Sequence, residues 1–230
     1  GRRPEGYEGF EFRRARPQDK VAVDGLFDGP TDVAWDADDN AYFSDGYWNS
    51  RIGKVDKNGD WVTSWRSFGR GPGQLDTPHS IATDNQGQVY VADRGNRRIQ
   101  VFDGTGKLLR EIKADLPIPP DAKPAIGNQP HNLAGYQGSM TNMPGAPWAI
   151  CITPGKTQYL YMADAFPGRV YKFALDGTLL GWFGKAGKQP KQFGWIHEIA
   201  CPSENELFVA EVLNWRVQKL TLHPEWAKAN

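Results

Sequence analysis

Apolar and polar residues alternate along most of the chain in short runs that end at turn-forming residues. Residues 88–93 and 98–103 are two such runs, and the sequences Asp-Asn-Gln-Gly at 84–87 and Gly-Thr-Gly at 104–106 flank them. A two-residue period over four to eight residues predicts half-buried β-strands. A helical solenoid would need a 3.6-residue period over longer segments, which the sequence does not show.

The strand pattern occurs four times. The equivalent segments are residues 30–34, 78–82, 147–151 and 196–200, and their second residues lie 48, 69 and 49 positions apart. Those second residues are Thr31, His79, Trp148 and His197. Four strands in a unit of about 48 residues are typical of a β-propeller blade. The larger middle spacing indicates an insertion of about 20 residues before the third copy.

Each copy also carries an acidic residue and, five or six positions later, an arginine that begins a further strand. The acids are Asp45, Asp93, Asp164 and Glu211, and the arginines are Arg51, Arg98, Arg169 and Arg216. Because the arginine occurs in every copy, we interpret it as structural. The first copy has one extra residue at this turn, which contains Tyr47, and an extra residue at a strand end can re-aim a side chain.

These spacings define the predicted domain organisation. Blades are expected at residues 29–67, 68–112, 146–184 and 185–230, the last including a tail, with residues 1–28 as a segment from a preceding blade. Residues 113–145 form a Pro- and Gly-rich insertion, which is either functional or a surface excursion. We expect an all-β, four-bladed part of a six-bladed propeller. A closed four-bladed ring is the alternative.

Composition excludes several classes of protein. The chain has 27 basic and 27 acidic residues, so it lacks the positive charge that bulk nucleic-acid or anionic-membrane binding requires. Its apolar runs are too short to span a bilayer. Two cysteines, Cys151 and Cys201, are too few for a disulfide scaffold, and the sequence leaves open whether they are free or paired.

Residues 68–102 identify the repeat. The segments Phe-Gly-Arg-Gly-Pro-Gly-Gln-Leu at 68–75, Pro-His-Ser-Ile-Ala at 78–82 and Val-Tyr-Val-Ala-Asp-Arg-Gly-Asn-Arg-Arg-Ile-Gln-Val-Phe at 89–102 resemble the consensus of the NHL family of β-propellers. The resemblance extends from about residue 29 to residue 222 and implies the same propeller fold.

A narrower resemblance is to the peptidyl-α-hydroxyglycine α-amidating lyases, which are six-bladed zinc propellers. It is carried by Ser-Asp-Gly-Tyr at 44–47, Pro-His at 78–79, Ala-Asp-Arg at 92–94 and His-Glu-Ile-Ala at 197–200. The resemblance implies that His79 and His197 bind Zn²⁺, that Tyr47 is the catalytic base and that Arg94 lies in the active site. Neutral imidazoles suit zinc, and a catalytic zinc keeps one position open for substrate.

The sequence departs from the lyase pattern in two respects. The family's first zinc histidine and a second active-site arginine would belong to blades before residue 1, so zinc would need a substitute such as Glu198, Asp32 or His131. The family has an aspartate after its last zinc histidine, which contributes to a structural calcium site. This chain has Glu198 there, which makes a Ca²⁺ site doubtful.

The resemblance implies a lyase that cleaves the C–N bond of a carbinolamide to give an amide and glyoxylate, or a hydrolase with the same metal site. Its substrate would be a small molecule or peptide, its compartment extracellular or periplasmic, and missing blades or another chain would complete the ring. One alternative is a non-catalytic NHL propeller that binds proteins or other ligands. Another is a carbohydrate binder that uses exposed members of the aromatic set Trp35, Trp48, Trp61, Trp65, Trp182, Trp195 and Trp215.

Overall fold

A computed structural model describes residues 27–117 and 143–222, and these residues form four separate antiparallel sheets. Each sheet is one copy of the sequence repeat. Blade 1 contains β1 (Asp32–Trp35), β2 (Ala41–Asp45), β3 (Arg51–Val55) and β4 (Trp61–Arg66); blade 2 contains β5 (Pro78–Thr83), β6 (Val89–Asp93), β7 (Arg98–Phe102) and β8 (Leu108–Ile112). Blade 3 contains β9 (Pro147–Ile152), β10 (Tyr159–Asp164), β11 (Val170–Ala174) and β12 (Leu179–Phe183); blade 4 contains β13 (Ile196–Ser203), β14 (Glu206–Glu211) and β15 (Arg216–Thr221).

Every blade is a meander in which consecutive strands pair. The first strands, β1, β5, β9 and β13, line a shared channel, and each packs against the next around the arc. In the part of the chain that the structure describes, β1 and β13 do not pack in this way, so the arc is open between blades 1 and 4. The all-β propeller prediction is confirmed, and the open arc is consistent with a partial ring.

The hydrophobic core lies between the blades. Three clusters of buried side chains join blades 1 and 2, blades 2 and 3, and blades 3 and 4. Alternation places one set of strand residues on each face of a sheet, so a blade between two neighbours has apolar residues on both faces. In strand β6, all five residues are buried. None of the described residues forms a helix long and apolar enough to cross a membrane.

The acid and the arginine of the repeat form an ion pair in three blades, which is buried in blades 1 and 2 and includes a 29% exposed arginine side chain in blade 4. Arginine Nε donates to the carboxylate at 3.0 Å in Asp45–Arg51, 2.8 Å in Asp93–Arg98 and 2.6 Å in Glu211–Arg216. The residue before each arginine has a left-handed backbone, with φ of 46°, 53°, 81° and 53° at Ser50, Arg97, Gly168 and Trp215. This turn aims the arginine back at its acid.

Blade 3 departs from that arrangement. Asp164 accepts hydrogen bonds from the Tyr171 hydroxyl at 2.7 Å and from the backbone amide of Arg169 at 2.8 Å. The Arg169 side chain instead stacks on Trp182, with Cζ 4.2 Å from the ring centroid, and donates to the Pro117 carbonyl at 2.7 Å. Arg169 is therefore structural, as the repeat predicts, but through different partners.

Cys151 and Cys201, whose pairing the sequence left open, form a disulfide with 6.0 Å between their Cα atoms. Cys151 belongs to β9 and Cys201 to β13, so the bond joins the channel-lining strands of blades 3 and 4. It ties together the two strands that carry Trp148 and His197.

Candidate active site

The beginnings of the channel-lining strands meet at one end of the channel. His79, Trp148 and His197 are each the second residue of their strand, in β5, β9 and β13. The ring centroids are 5.0 Å apart for His79 and His197, 4.9 Å for His79 and Trp148, and 5.5 Å for Trp148 and His197. Equivalent positions of the repeat therefore converge, as propeller geometry requires.

His79 is held in a single orientation. Its Nδ1 lies 2.7 Å from the Trp148 carbonyl oxygen, which only accepts, so Nδ1 carries the proton. Burial and the nearby Arg94 cation lower the pKa of His79 to about 3. The imidazole is therefore neutral at pH 7, and its Nε2 lone pair is available.

Tyr47 supplies the partner of that lone pair. Its hydroxyl lies 3.2 Å from His79 Nε2 and donates to it. Tyr47 follows β2 in the turn with the extra residue, and 48% of its surface is exposed. Gly46 allows the turn to approach blade 2, because a Cβ at that position would collide with the Pro78 carbonyl oxygen. The Gly-Tyr order of the motif thus brings the phenol to the histidine.

Arg94 completes the cluster from the 3-10 helix Arg94–Asn96, which follows β6. It is 4% exposed, and its Cζ lies 3.9 Å from the Trp148 ring centroid and 5.6 Å from that of Tyr47. Within the described residues, its Nε and Nη1 have no hydrogen-bond partner. Burial lowers the pKa of Arg94, while the Tyr47 hydroxyl interacts favourably with the cation. Such a guanidinium can bind an anionic group by donating two parallel N–H hydrogen bonds.

His197 and Trp195 form the blade 4 side of the site. Burial, followed by the effect of the Arg94 cation, lowers the pKa of His197, so this imidazole is also neutral at pH 7. Trp195 packs edge-on against Trp148 at 4.9 Å between centroids. Trp195 therefore serves packing at the site, whereas Trp48 and Trp215 are 77% and 93% exposed.

Glu198 lies next along the channel from His197. Glu198 is exposed at the channel wall, where partial desolvation by the surrounding strands, followed by the effect of the Asp32 carboxylate, raises its pKa to about 7. Asp32 itself accepts hydrogen bonds from Ser80 Oγ at 2.8 Å and from the Ile81 amide at 3.0 Å. Both of these bonds go to Oδ2, which joins blades 1 and 2, while Oδ1 accepts from the Val33 amide.

The predicted residues Tyr47, His79, Arg94 and His197 therefore meet in one place, while Glu198 is an exposed residue of the channel lining. No group of three or more His, Cys, Asp or Glu side chains able to hold a metal occurs between residues 27 and 117 or 143 and 222. His131, His223, most of the insertion and nearly all of the N-terminal segment lie outside these ranges.

Sequence reasoning assigned no role to Trp148. The signal was its position in the repeat, since it occupies the place that histidine takes in blades 2 and 4. In the structure it contacts both histidines and Arg94, and is 5% exposed.

Comparison with known proteins finds similarity to the NHL repeat and to peptide-amidating enzymes. Residues 75–102 match the family model of the NHL repeat. The peptidylglycine alpha-amidating monooxygenase of Rattus norvegicus is 46% identical over 202 residues, covering 84% of this chain and 18% of that protein. The probable peptidyl-alpha-hydroxyglycine alpha-amidating lyase of Caenorhabditis elegans is 31% identical over 137 residues, covering 56% of this chain and 39% of that protein. The chain thus spans less than half the length of each.

Among solved structures, virginiamycin B lyase from Staphylococcus aureus is similar, with a TM-score of 0.54 and 17% identity. The match covers 84% of this chain and 52% of that chain. At this level of identity the match supports the propeller fold alone.

Proposed function

Because the chain is an NHL-repeat β-propeller with peptidyl-α-hydroxyglycine α-amidating lyases among its relatives, we propose that it contributes the active site of such a lyase. The reaction is cleavage of a carbinolamide C–N bond to give an amide and glyoxylate. The observation that carries the proposal is the convergence of two neutral imidazoles, a phenol and a buried guanidinium with unpartnered N–H groups.

Zinc fits the donor chemistry of this cluster in part. His79 and His197 would hold the ion through neutral imidazoles, and the Trp148 carbonyl fixes the His79 tautomer, as partners of ligating histidines commonly do. Two histidines are fewer than the three protein ligands usual for catalytic zinc, so we expect weak binding by these residues alone. When bound, zinc would supply a Lewis acid for the substrate hydroxyl oxygen.

Calcium fits the residues of the channel less well than zinc fits the two histidines. Glu198 and Asp32 are the carboxylates nearest this level of the channel, and Asp32 is already engaged by Ser80 and Ile81. Ca²⁺ takes six to eight oxygen ligands. The residues that the structure describes do not gather such a set, and calcium forms no part of the proposed function.

The chain's own residues would act on the substrate as follows. Arg94 binds the substrate carboxylate through its Nε and Nη1 N–H groups, which places the carbinol carbon near Tyr47. Tyr47, as the general base, removes the hydroxyl proton. The O–H electrons form the new C=O bond of glyoxylate, the C–N bond breaks, and the proton taken by Tyr47 passes to the amide nitrogen. Atoms and charge balance without an oxidant or reductant.

Release of glyoxylate tests this proposal. The chain, with one equivalent of zinc, is incubated with α-hydroxyhippurate, and glyoxylate is measured above the spontaneous background. We expect turnover that His79→Ala and His197→Ala abolish and that His223→Ala leaves unchanged. Background-level release by the wild-type chain, alone and with neighbouring propeller sequence added, would refute the lyase.

An interaction module is the alternative, and stoichiometric metal analysis separates the two. On titration, a scaffold with relict histidines would bind no stoichiometric zinc, whereas the proposed lyase binds one zinc per chain, although weakly. We also propose that further blades or another chain complete the ring. The Cys151–Cys201 disulfide suits the extracellular or periplasmic compartment that we propose.

A further inference from the structure

Trp148 contacts more of the proposed active site than any other residue discussed above. Its indole packs against His79, His197 and Trp195 and lies under the Arg94 guanidinium. Its backbone carbonyl accepts a hydrogen bond from His79 Nδ1. The side chain is 5% exposed. Its place in the repeat is a histidine in the two adjacent blades. Blade 3 thus presents an indole ring at the position where blades 2 and 4 present an imidazole.

The Arg94 guanidinium lies over the Trp148 ring and also interacts with the Tyr47 hydroxyl. Its Cζ lies 3.9 Å above the Trp148 ring, while Nε and Nη1 have no hydrogen-bond partner in the described structure. Arginine stacks on aromatic faces and keeps its donors in the guanidinium plane. Stacking therefore fixes the group without using the N–H groups that an incoming carboxylate needs.

The backbone of Trp148 positions the second component. The 2.7 Å contact from His79 Nδ1 to the Trp148 carbonyl leaves Nε2 facing the Tyr47 hydroxyl. Which ring nitrogen carries the proton is set by the hydrogen bond that the other makes. Trp148 thus orients both Arg94, which would bind the anion, and His79, which faces the Tyr47 hydroxyl.

We propose that Trp148 is the positioning residue of this site, holding Arg94 by stacking so that its edge binds the substrate carboxylate. The proposal rests on the proposed function, because it identifies that carboxylate as the substrate's. It predicts that the Trp148 side chain governs affinity for carboxylate ligands more than the rate of bond cleavage, since the carboxylate is bound in both ground and transition states.

Binding of hippurate, an unreactive carboxylate of the substrate's shape, provides the first measurement. By calorimetry, we expect Trp148→Leu to weaken hippurate about tenfold and Trp148→Phe to retain affinity within threefold, because phenylalanine keeps an aromatic face. Trp182→Leu is the matched control, since Trp182 stacks on Arg169 at 4.2 Å in the same way away from the site. It should change the affinity less than twofold.

Steady-state kinetics separate positioning from a merely structural role. For Trp148→Leu we expect KM to rise about tenfold with kcat changed less than threefold. A variant that only reduces the folded fraction would lower the apparent kcat with KM unchanged, and that result would overturn the proposal.

A third measurement does not depend on substrate. The Arg94 Nε–H proton, assigned with Arg94→Lys, should resonate upfield from the indole ring current and move downfield in Trp148→Leu, with Trp148→Phe intermediate. No movement would overturn the inference. Movement in a chain that neither binds hippurate nor releases glyoxylate would support stacking by Trp148 and refute the proposed function.

Discussion

The arginines that begin the third strand of a blade and the arginine at the channel end are both buried, but different interactions hold them. Arg98 donates from Nε to Asp93 at 2.8 Å, from Nη1 to Glu111 at 2.7 Å and from Nη2 to two backbone carbonyls. Arg94 stacks on Trp148 and leaves Nε and Nη1 unpartnered. The first arrangement completes a blade, and the second leaves two buried N–H donors without a partner among the described residues.

Blade 3 shows that stacking alone does not mark a functional arginine. Arg169 stacks on Trp182 and also has unpartnered Nε and Nη1 among the described residues. It lacks the neutral imidazoles that surround Arg94, and its neighbouring phenol, Tyr171, donates to the Asp164 carboxylate. The distinction therefore lies in the neighbouring groups, and mutations that affect one arrangement but not the other can test it.

Replacement of Tyr47 should have the largest effect on the site and almost none on the blades. We expect Tyr47→Phe to lower kcat for glyoxylate release about 10²- to 10⁴-fold, the range for loss of a general base. Since Tyr47 is 48% exposed, the free energy of unfolding should change by less than about 0.5 kcal/mol. A kcat within tenfold of wild type would show that Tyr47 is not the base.

Replacement of Arg98 should do the reverse. Arg98→Met leaves the buried Asp93 carboxylate without its cation, which costs about 3–5 kcal/mol. Urea unfolding followed by tryptophan fluorescence measures the loss. Refolded variant at low temperature should still bind hippurate, and a variant as stable as wild type would contradict the structural role of the blade arginines.

Loss of the disulfide should weaken the contact between blades 3 and 4. The bond closes a loop with a sequence separation of 50, so Cys151→Ala with Cys201→Ala is expected to cost about 2–4 kcal/mol. Dithiothreitol should shift the urea midpoint of the wild-type chain by a similar amount and that of the double variant not at all. A wild-type midpoint insensitive to the reductant would argue against the bond.

The acid of blade 3 should give stability a pH dependence. Burial raises the pKa of Asp164 to about 6 from an ordinary value of 3.8. The folded chain therefore keeps a proton that the unfolded chain releases between these pH values. This contribution is fully present below about pH 4 and is lost as the pH rises through 6, amounting to at most about 3 kcal/mol.

Urea unfolding at pH 4, 5 and 6.5 measures this dependence. Asp164→Asn should show a smaller loss of stability with rising pH than the wild-type chain. The same slope in both chains would mean that Asp164 titrates normally in the fold.

A small effect on stability is also expected at Arg94. Because its stacked guanidinium is desolvated and two of its N–H groups are unpartnered, Arg94→Met should alter the free energy of unfolding by less than about 1 kcal/mol. The same variant should lose measurable hippurate binding. Unfolding and calorimetry on one preparation give both values, and a loss comparable with that of Arg98→Met would remove the distinction drawn above.

Repeat spacing predicted the blades, and the equivalence of positions in the repeat brought His79 and His197 to one end of the channel. Both predictions depend on periodicity, which strand geometry fixes. The resemblance to the amidating lyases added Tyr47 and Arg94, and the structure places them with the histidines.

The features that could not be predicted depend on local backbone irregularities. A register shift in β13 between Ile196 and Glu198 changes which face the following residues occupy, so spacing alone could not decide whether Cys201 faces Cys151. The stacking of Arg94 depends on the 3-10 turn after β6 and on the left-handed backbone at Arg97. The repeat predicts that the Arg169 side chain pairs with Asp164, but the Tyr171 hydroxyl donates to Asp164 in its place.

Zinc titration of the metal-stripped chain tests the central claim most directly, because the claim requires His79 and His197 to bind the same zinc ion. With a chromophoric chelator as competitor, we expect one zinc per chain, at least tenfold weaker binding in His79→Ala and in His197→Ala, and no change in His223→Ala. Equal zinc affinity in all four chains, or no stoichiometric zinc in the wild-type chain, would contradict the account.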